Sequence, residues 1–264
     1  MSEQHRWEEI LLTDCHEARE WELFHENSKI GRYTQALPQE EVRARMSSLY
    51  ESLPYVGYPV VDLPHMFSPL PHSLEQAITS RTSVRNFSPA SLTLEKISTI
   101  LHFAYGITRE ANDPSLPRSF RVVPSGGALY PLEIFFHTAC VKGLQAGLYH
   151  YNPLAHHLSF LRNEDGTERL LAALVQPELA RGAAIIIFLT ALFERSTFKY
   201  GNRGYRFILL EAGHVAQNVN LVATALGLGS VNIGGYFDRE VDDFLEIDGV
   251  THSTIYLIAI GEKE

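Results

Sequence analysis

The chain has 264 residues, 45% of them hydrophobic and 20% charged, with a formal net charge of -9. That balance supports one large folded domain, or one domain with an arm, and excludes wholesale disorder. The acidic excess argues against a nucleic-acid groove, which needs a basic footprint, and no apolar run reaches the ~18 residues of a membrane helix.

The N-terminus MSEQHRWEEI lacks the basic and apolar regions of a targeting peptide. Cys15 and Cys140 are too few for a disulfide framework. A cytoplasmic protein with reduced thiols is expected. Residues 1–26 carry eight acids against two arginines, the pattern of a solvated acidic helix face or of a docking surface for a basic partner. Helical pieces are expected over 7–50. An extended surface connector follows, because prolines 54, 59, 64, 69 and 71 interrupt any helix there. The expected division is therefore an arm with its proline-rich connector over 1–71 and a main domain over 72–264.

Ser73 and Gln76 have capping-box spacing and open a helix; a second helix is expected at about 94–105. Strands follow at 132–139, 147–152 and 157–162, the last two paired through a turn at Asn152-Pro153. GAAIIIFLTA (182–191) is apolar throughout, as a buried central strand would be. From 205 to 226, Phe207, Leu210, Val215, Val219, Val222 and Leu226 recur at helical spacing, and Gly227 is a natural stop. His214 inside this helix is expected to be buried and satisfied. A strand at 230–237, a short helix opened by Asp238 and a strand at 253–261 complete the chain. Strands interrupted by helices without regular βαβ alternation predict an α+β fold.

Several motifs fail. GLGSVN (227–232) follows a helix instead of opening one and lacks the third glycine of a dinucleotide fingerprint. HEARE (16–20) has Glu20 where a zinc motif needs histidine. There is no GxSxG elbow, and no metal set is expected.

Four stretches remain. In SRTSVRNF (80–87), alternation points Arg81, Ser83 and Arg85 to one face, suited to a phosphate or a polar ring edge; a basic surface strand would look the same. VPSGGALYP (123–131) holds Ser125, Gly126 and Gly127, whose backbone admits close approach of a flat ligand or simply makes a turn. SVNIGGYFD (230–238) places Asn232, Gly234 and Gly235 at a strand end, as a ligand contact or a bulge. TFKYGNRGYRF (197–207) sets Lys199, Arg203 and Arg206 among four aromatics with no acid.

Together with LLEAGHVAQNVNLVATALGLGS and the closing YLIAIGE, these stretches resemble the nitroreductase superfamily, most closely its SagB-type azoline dehydrogenases, over about residues 72–262. The resemblance implies a mostly antiparallel sheet flanked by helices, and a homodimer binding flavin mononucleotide (FMN) at two interfacial sites. It implies that Arg81, Ser83 and Arg85 hold the phosphate, ribityl chain and pyrimidine edge, and that Ser125, Gly126 and Gly127 reach the same flavin from the other subunit. Asn232, Gly234 and Gly235 would line the ring, with Gln176, Arg203 and Lys263 as further contacts.

Lys199 and Tyr200 match the family's catalytic pair at the substrate side. Aromatising a thiazoline or oxazoline removes a hydride, which a flavin accepts, and a proton, which needs a base. A free lysine is protonated at neutral pH, so that role calls for desolvation or a nearby cation such as Arg203. The implied substrate is an azoline in a peptide or on a carrier protein, with a cyclodehydratase or synthetase as partner. A nicotinamide-dependent nitro- or quinone reductase and a non-catalytic scaffold remain as other classes. The scaffold needs none of the flavin residues, and the reductase does not need the Lys-Tyr pair.

Overall fold

The computed structural model describes residues 19–110, 118–138 and 140–264. The acidic stretch before Arg19, including Trp7, Cys15 and most of HEARE, lies outside them. Two helices, α1 (Glu20–Asn27) and α2 (Gln39–Ser48), form the described part of the arm. Strand β1 (Val60–Asp62) and helices α3 (Leu74–Ser80) and α4 (Leu94–Tyr105) follow. Next come β2 (Leu132–Thr138), β3 (Gly147–Asn152), β4 (His157–Arg162), α5 (Thr167–Ala172) and β5 (Ile185–Leu192). The chain ends with α6 (Glu194–Tyr200), α7 (Asn202–Ala225), β6 (Gly229–Ile233), α8 (Asp238–Leu245) and β7 (His252–Lys263).

The expected local signals operate. Ser73 Oγ accepts from the Gln76 N–H while the Gln76 side chain accepts from the Ser73 N–H, the reciprocal capping box that starts α3. Thr93 caps α4, and its apolar face carries Ile97, Ile100, Leu101 and Ala104 into the core. Asn152 Oδ1 accepts from the N–H groups of Leu154 and Ala155, closing the β3–β4 turn.

The main sheet has the order β1-β4-β3-β2-β5-β7-β6, and each of these neighbouring pairs is antiparallel. It is covered on both faces, and β5 shows why. Ile185, Ile187 and Leu189 join one apolar cluster with Ile208, Val215 and Val219 of α7. The alternate residues Ile186 and Phe188 join another with Leu170 of α5 and Phe244 of α8. A strand with a core on each face reads as a continuous apolar run, and each such side chain contributes roughly 1.5–3 kcal/mol on full burial.

Two expectations change. The connector is not wholly a surface loop: Val60–Asp62 adds an edge strand to β4. Leu210 and His214 are exposed, because residues 210, 214 and 217 form the outer stripe of α7 while 208, 212, 215 and 219 face inward. Helix α8 begins at Asp238, as expected, with Phe237 as its N-cap.

Candidate active site

The predicted residues gather in two groups. In the first, Arg81 ends α3 and the chain turns extended, so that Ser83 bridges Ser230 of β6 and the Val84 N–H donates to the Ser230 carbonyl at 3.0 Å. Lys263, at the end of β7, pairs with Phe87 two residues beyond Arg85. The Val175 N–H donates to the Gly235 carbonyl at 3.0 Å, which brings the exposed Gln176 to the Gly234–Gly235 corner. Asn232 Oδ1 is buried there without a hydrogen-bond partner. Among the described residues neither Arg81 nor Arg85 pairs with a carboxylate. Guanidinium groups without a carboxylate partner among the described residues, on the strand segment that bridges β6, together with the unmet buried acceptor on β6, fit an anionic ligand that also donates hydrogen bonds.

The second group joins the glycine loop to the Lys-Tyr pair. Gly127 has φ +68, and a Cβ at that position would stand 2.6 Å from Tyr200 Oη and 2.7 Å from Lys199 Nζ. The positive φ favours glycine here, and a Cβ would have to push back the tips of the two side chains laid against it. Lys199 Nζ also lies 5.1 Å from the Tyr200 ring centroid. Gly127 and Lys199 line a cavity of about 550 Å³ that, among the described residues, is edged by Arg109 and Arg121 and by no carboxylate. The cavity suits a neutral or anionic ligand.

Helix α6 carries the pair and ends at Gly201, whose φ of 53 and ψ of -142 break the helix before α7 begins. Four residues before Lys199, Arg195 anchors α6 from below. Its Nη1 stands 2.6 Å from Glu133 Oε1 of β2, off the hydrogen-bond axis, so the contact is an ion pair. Glu133 also takes His150 Nε2 at 2.6 Å and the Leu53 N–H at 3.0 Å. Burial alone would raise the Glu133 pKa, but the Arg195 charge and the His150 hydrogen bond overcome it and hold the group at about 2.

A second buried carboxyl, Glu211 of α7, faces Tyr105 and the loop at Ser125. Tyr105 Oη donates to its Oε1 at 2.7 Å, while Oε2 is buried without a partner. Burial pushes its pKa up to about 7, against the opposing influence of the nearby Ser125 hydroxyl, the Tyr105 hydrogen bond and the charge of Arg121.

Arg203, expected at the flavin, is placed elsewhere. Its Nε donates to the Ser28 carbonyl at 2.7 Å, and Arg206 donates to the His25 carbonyl, both at the C-terminal end of α1. Tyr205 meets Phe24 edge-on at 5.4 Å, and Phe198 and Tyr200 pack with Val42 and Met46 of α2. The basic aromatic stretch thus docks the arm on the helices that carry Lys199. The carbonyl-rich end of a helix attracts cations, which accounts for arginines in an acidic chain.

Sequence reasoning missed Glu133, Arg195, His150, Glu211 and Arg121. A lone glutamate in the otherwise apolar LEIFF of β2, and Glu211 on the 208–212–215–219 inner stripe of α7, were the available signals.

The nitroreductase family profile matches residues 78–262. The chain belongs to that family. A Methanocaldococcus jannaschii protein named as a nitroreductase is 42% identical over 191 residues, covering 72% of this chain and 91% of its own. The microcin B17-processing protein McbC of Escherichia coli is 34% identical over 156 residues, 57% of this chain and 56% of McbC, so the match spans about half of that relative. A chain in the E. coli microcin synthetase McbBCD complex, solved with truncated pro-MccB17 bound, superposes with TM-score 0.58 and 26% identity over 95% of this chain and 100% of that one. These relatives support the SagB-type branch. The family generally binds FMN. Among the described residues no helix is long and apolar enough to cross a membrane.

Proposed function

We propose that this protein is an FMN-dependent azoline dehydrogenase that converts thiazoline or oxazoline rings to azoles in a peptide or carrier-bound intermediate. One observation carries the reading: Lys199 Nζ and Tyr200 Oη converge on Gly127, at the rim of a cavity whose described lining includes Arg109 and Arg121 and no carboxylate. The relationship to McbC gives that pair its context.

FMN, when bound, supplies the hydride acceptor. Arg81, Ser83, Arg85 and Lys263 hold its phosphate and polar edge, and Asn232, Gly234, Gly235 and Gln176 meet the ring. The protein acts as a homodimer, in which Ser125, Gly126 and Gly127 serve the partner's flavin. Lys199 and Tyr200 then belong to the same half-site as that loop. Residues 72–264 form the catalytic domain, and 1–71 the arm that braces it. Lys199 removes the ring proton, Tyr200 orients or relays it, and Arg195 with Glu133 keeps their helix in place. A cyclodehydratase or synthetase supplies the ring, in the cytoplasm.

A reductase of nitro compounds or quinones is the second reading, favoured by the relative named as a nitroreductase. The two separate in one experiment, where turnover of a thiazoline-containing peptide is followed beside nitroarene reduction. Lys199→Ala and Tyr200→Phe keep their flavin and lose about 10²–10⁴-fold of azoline turnover, while nitroarene reduction is much less affected. Equal loss of both, or untouched azoline turnover, sends the assignment to the reductase.

A further inference from the structure

Glu211 has no part in the mechanism above, yet it lies behind the floor of the cavity. Its side chain is 2% exposed. The groups facing it are Tyr105 from α4, Arg121 from the 120–121 segment, and Ser125 and Tyr130 from the glycine loop. Arg121 is spread across other contacts: its guanidinium lies over the Tyr105 and Tyr130 rings at 4.2 and 4.9 Å, and Nη2 donates to the Glu51 carbonyl. Among the described residues no cation forms an ion pair with Glu211 as Arg195 does with Glu133.

The loop above it is held out of the ordinary backbone regions. Ala128 and Tyr130 have φ of 55 and 45, uncommon for residues with a Cβ. Three contacts hold this shape: the Ala128 N–H donates to the Ser125 carbonyl at 3.1 Å, the Tyr130 N–H donates to Ser125 Oγ at 3.0 Å, and Tyr130 Oη accepts from the Arg121 N–H at 3.0 Å. Ser125 Oγ, having accepted from Tyr130, has one proton to give, and it faces Glu211. Ser125 also lines the cavity that contains Lys199. The serine hydroxyl therefore stands between the cavity and a buried carboxyl whose second oxygen is unmet.

We propose that Glu211 takes up and returns the proton released in the cavity, acting through the Ser125 hydroxyl. The inference rests on the azoline reading. The substrate's C–H proton passes to Lys199, then as the ammonium gives it up Ser125 accepts one proton and donates its own to the Glu211 carboxylate. Glu211 ends as the neutral acid and Lys199 as the neutral amine, ready for the next ring. Glu211 reaches the reacting atoms only through Ser125, so it is a positioning residue. A group titrating near pH 7 both accepts and releases protons at neutral pH.

Two measurements test this on the flavin-loaded protein. The infrared carbonyl band of a protonated carboxyl, followed against pH, should show one group titrating near neutrality in wild type and not in Glu211→Gln. In Ser125→Ala that titration should move to higher pH, since a nearby hydroxyl that favours the carboxylate is lost. The pH–rate profile of thiazoline oxidation should lose its limb near neutrality in Glu211→Gln and in Ser125→Ala. An absent band, or a titrating band with an unchanged profile in both variants, overturns the proposal while leaving the azoline reading intact. No wild-type azoline turnover overturns both. Ser125→Ala, which leaves the buried carboxyl in place, keeps the test decisive if Glu211→Gln does not fold.

Discussion

Two carboxyls of this protein are equally buried and do opposite things. Glu133 and Glu211 are each 2% exposed, yet one is held near pKa 2 and the other near 7. Burial pushes both upward; the partners decide. Glu133 has a guanidinium at 2.6 Å and an imidazole at 2.6 Å, so its charge is matched. Glu211 has hydroxyls, with Arg121 stacked on two rings. The first is an anchor for the helix carrying Lys199, and the second is a store for a proton. Carboxyls of one type take separate roles when their surroundings push their pKa values apart.

Removing the anchor should have the largest effect on stability. Glu133→Ala leaves Arg195 buried and uncompensated, and breaking such a pair costs about 3–5 kcal/mol. Chemical denaturation should read that loss, and an unchanged midpoint would mean that the ion pair is not formed.

The pH dependence of stability sharpens the contrast. The Glu133 pKa falls from 4.5 to about 2 on folding, so its contribution is full above pH 4.5 and is lost as pH falls through 2. The Glu211 pKa rises from 4.5 to about 7, so its contribution is full below pH 4.5 and is lost as pH rises through 7. Each is worth roughly 3 kcal/mol by linkage. Wild type should lose stability between pH 4.5 and 7 relative to Glu211→Gln. Parallel curves for the two proteins would break the comparison.

The glycine loop is more delicate. Gly127→Ala puts a Cβ at positive φ and against Lys199 and Tyr200, which should cost somewhat more than about 1 kcal/mol and lower azoline turnover with flavin retained. Thermal unfolding beside turnover separates the two effects. The smallest effect belongs to the arm. Arg206→Ala removes one hydrogen bond to the His25 carbonyl near the surface, and should cost about 1 kcal/mol. Faster proteolysis of the arm, with the main domain intact, is the readout.

The fold was legible where its causes are local. The α3 cap, the limits of α4 and the β3–β4 turn depend on residues within a few positions of one another, and the structure matches them. The strand at Val60–Asp62 was hidden because its partner, β4, lies far along the chain and prolines flank it. The inner and outer stripes of α7 were confused at Leu210 and His214, since apolar residues occur on both. For the site, the glycine loop and Lys199-Tyr200 were visible as motifs, but their meeting at Gly127 was not. Arg203 illustrates the limit: its charge suited a flavin as well as a helix end, and only the folded arm distinguishes them.

The central claim is that Lys199 and Tyr200 serve an azoline held beside the flavin. The most direct measurement mixes the FMN-loaded protein with a thiazoline-containing peptide without oxygen and follows loss of the flavin's visible absorbance. Wild type should bleach as thiazole forms, Lys199→Ala should bleach about 10²–10⁴-fold more slowly, and dithionite should reduce both alike. Equal bleaching of wild type and Lys199→Ala by the thiazoline, or bleaching by a nicotinamide donor alone, would contradict the account.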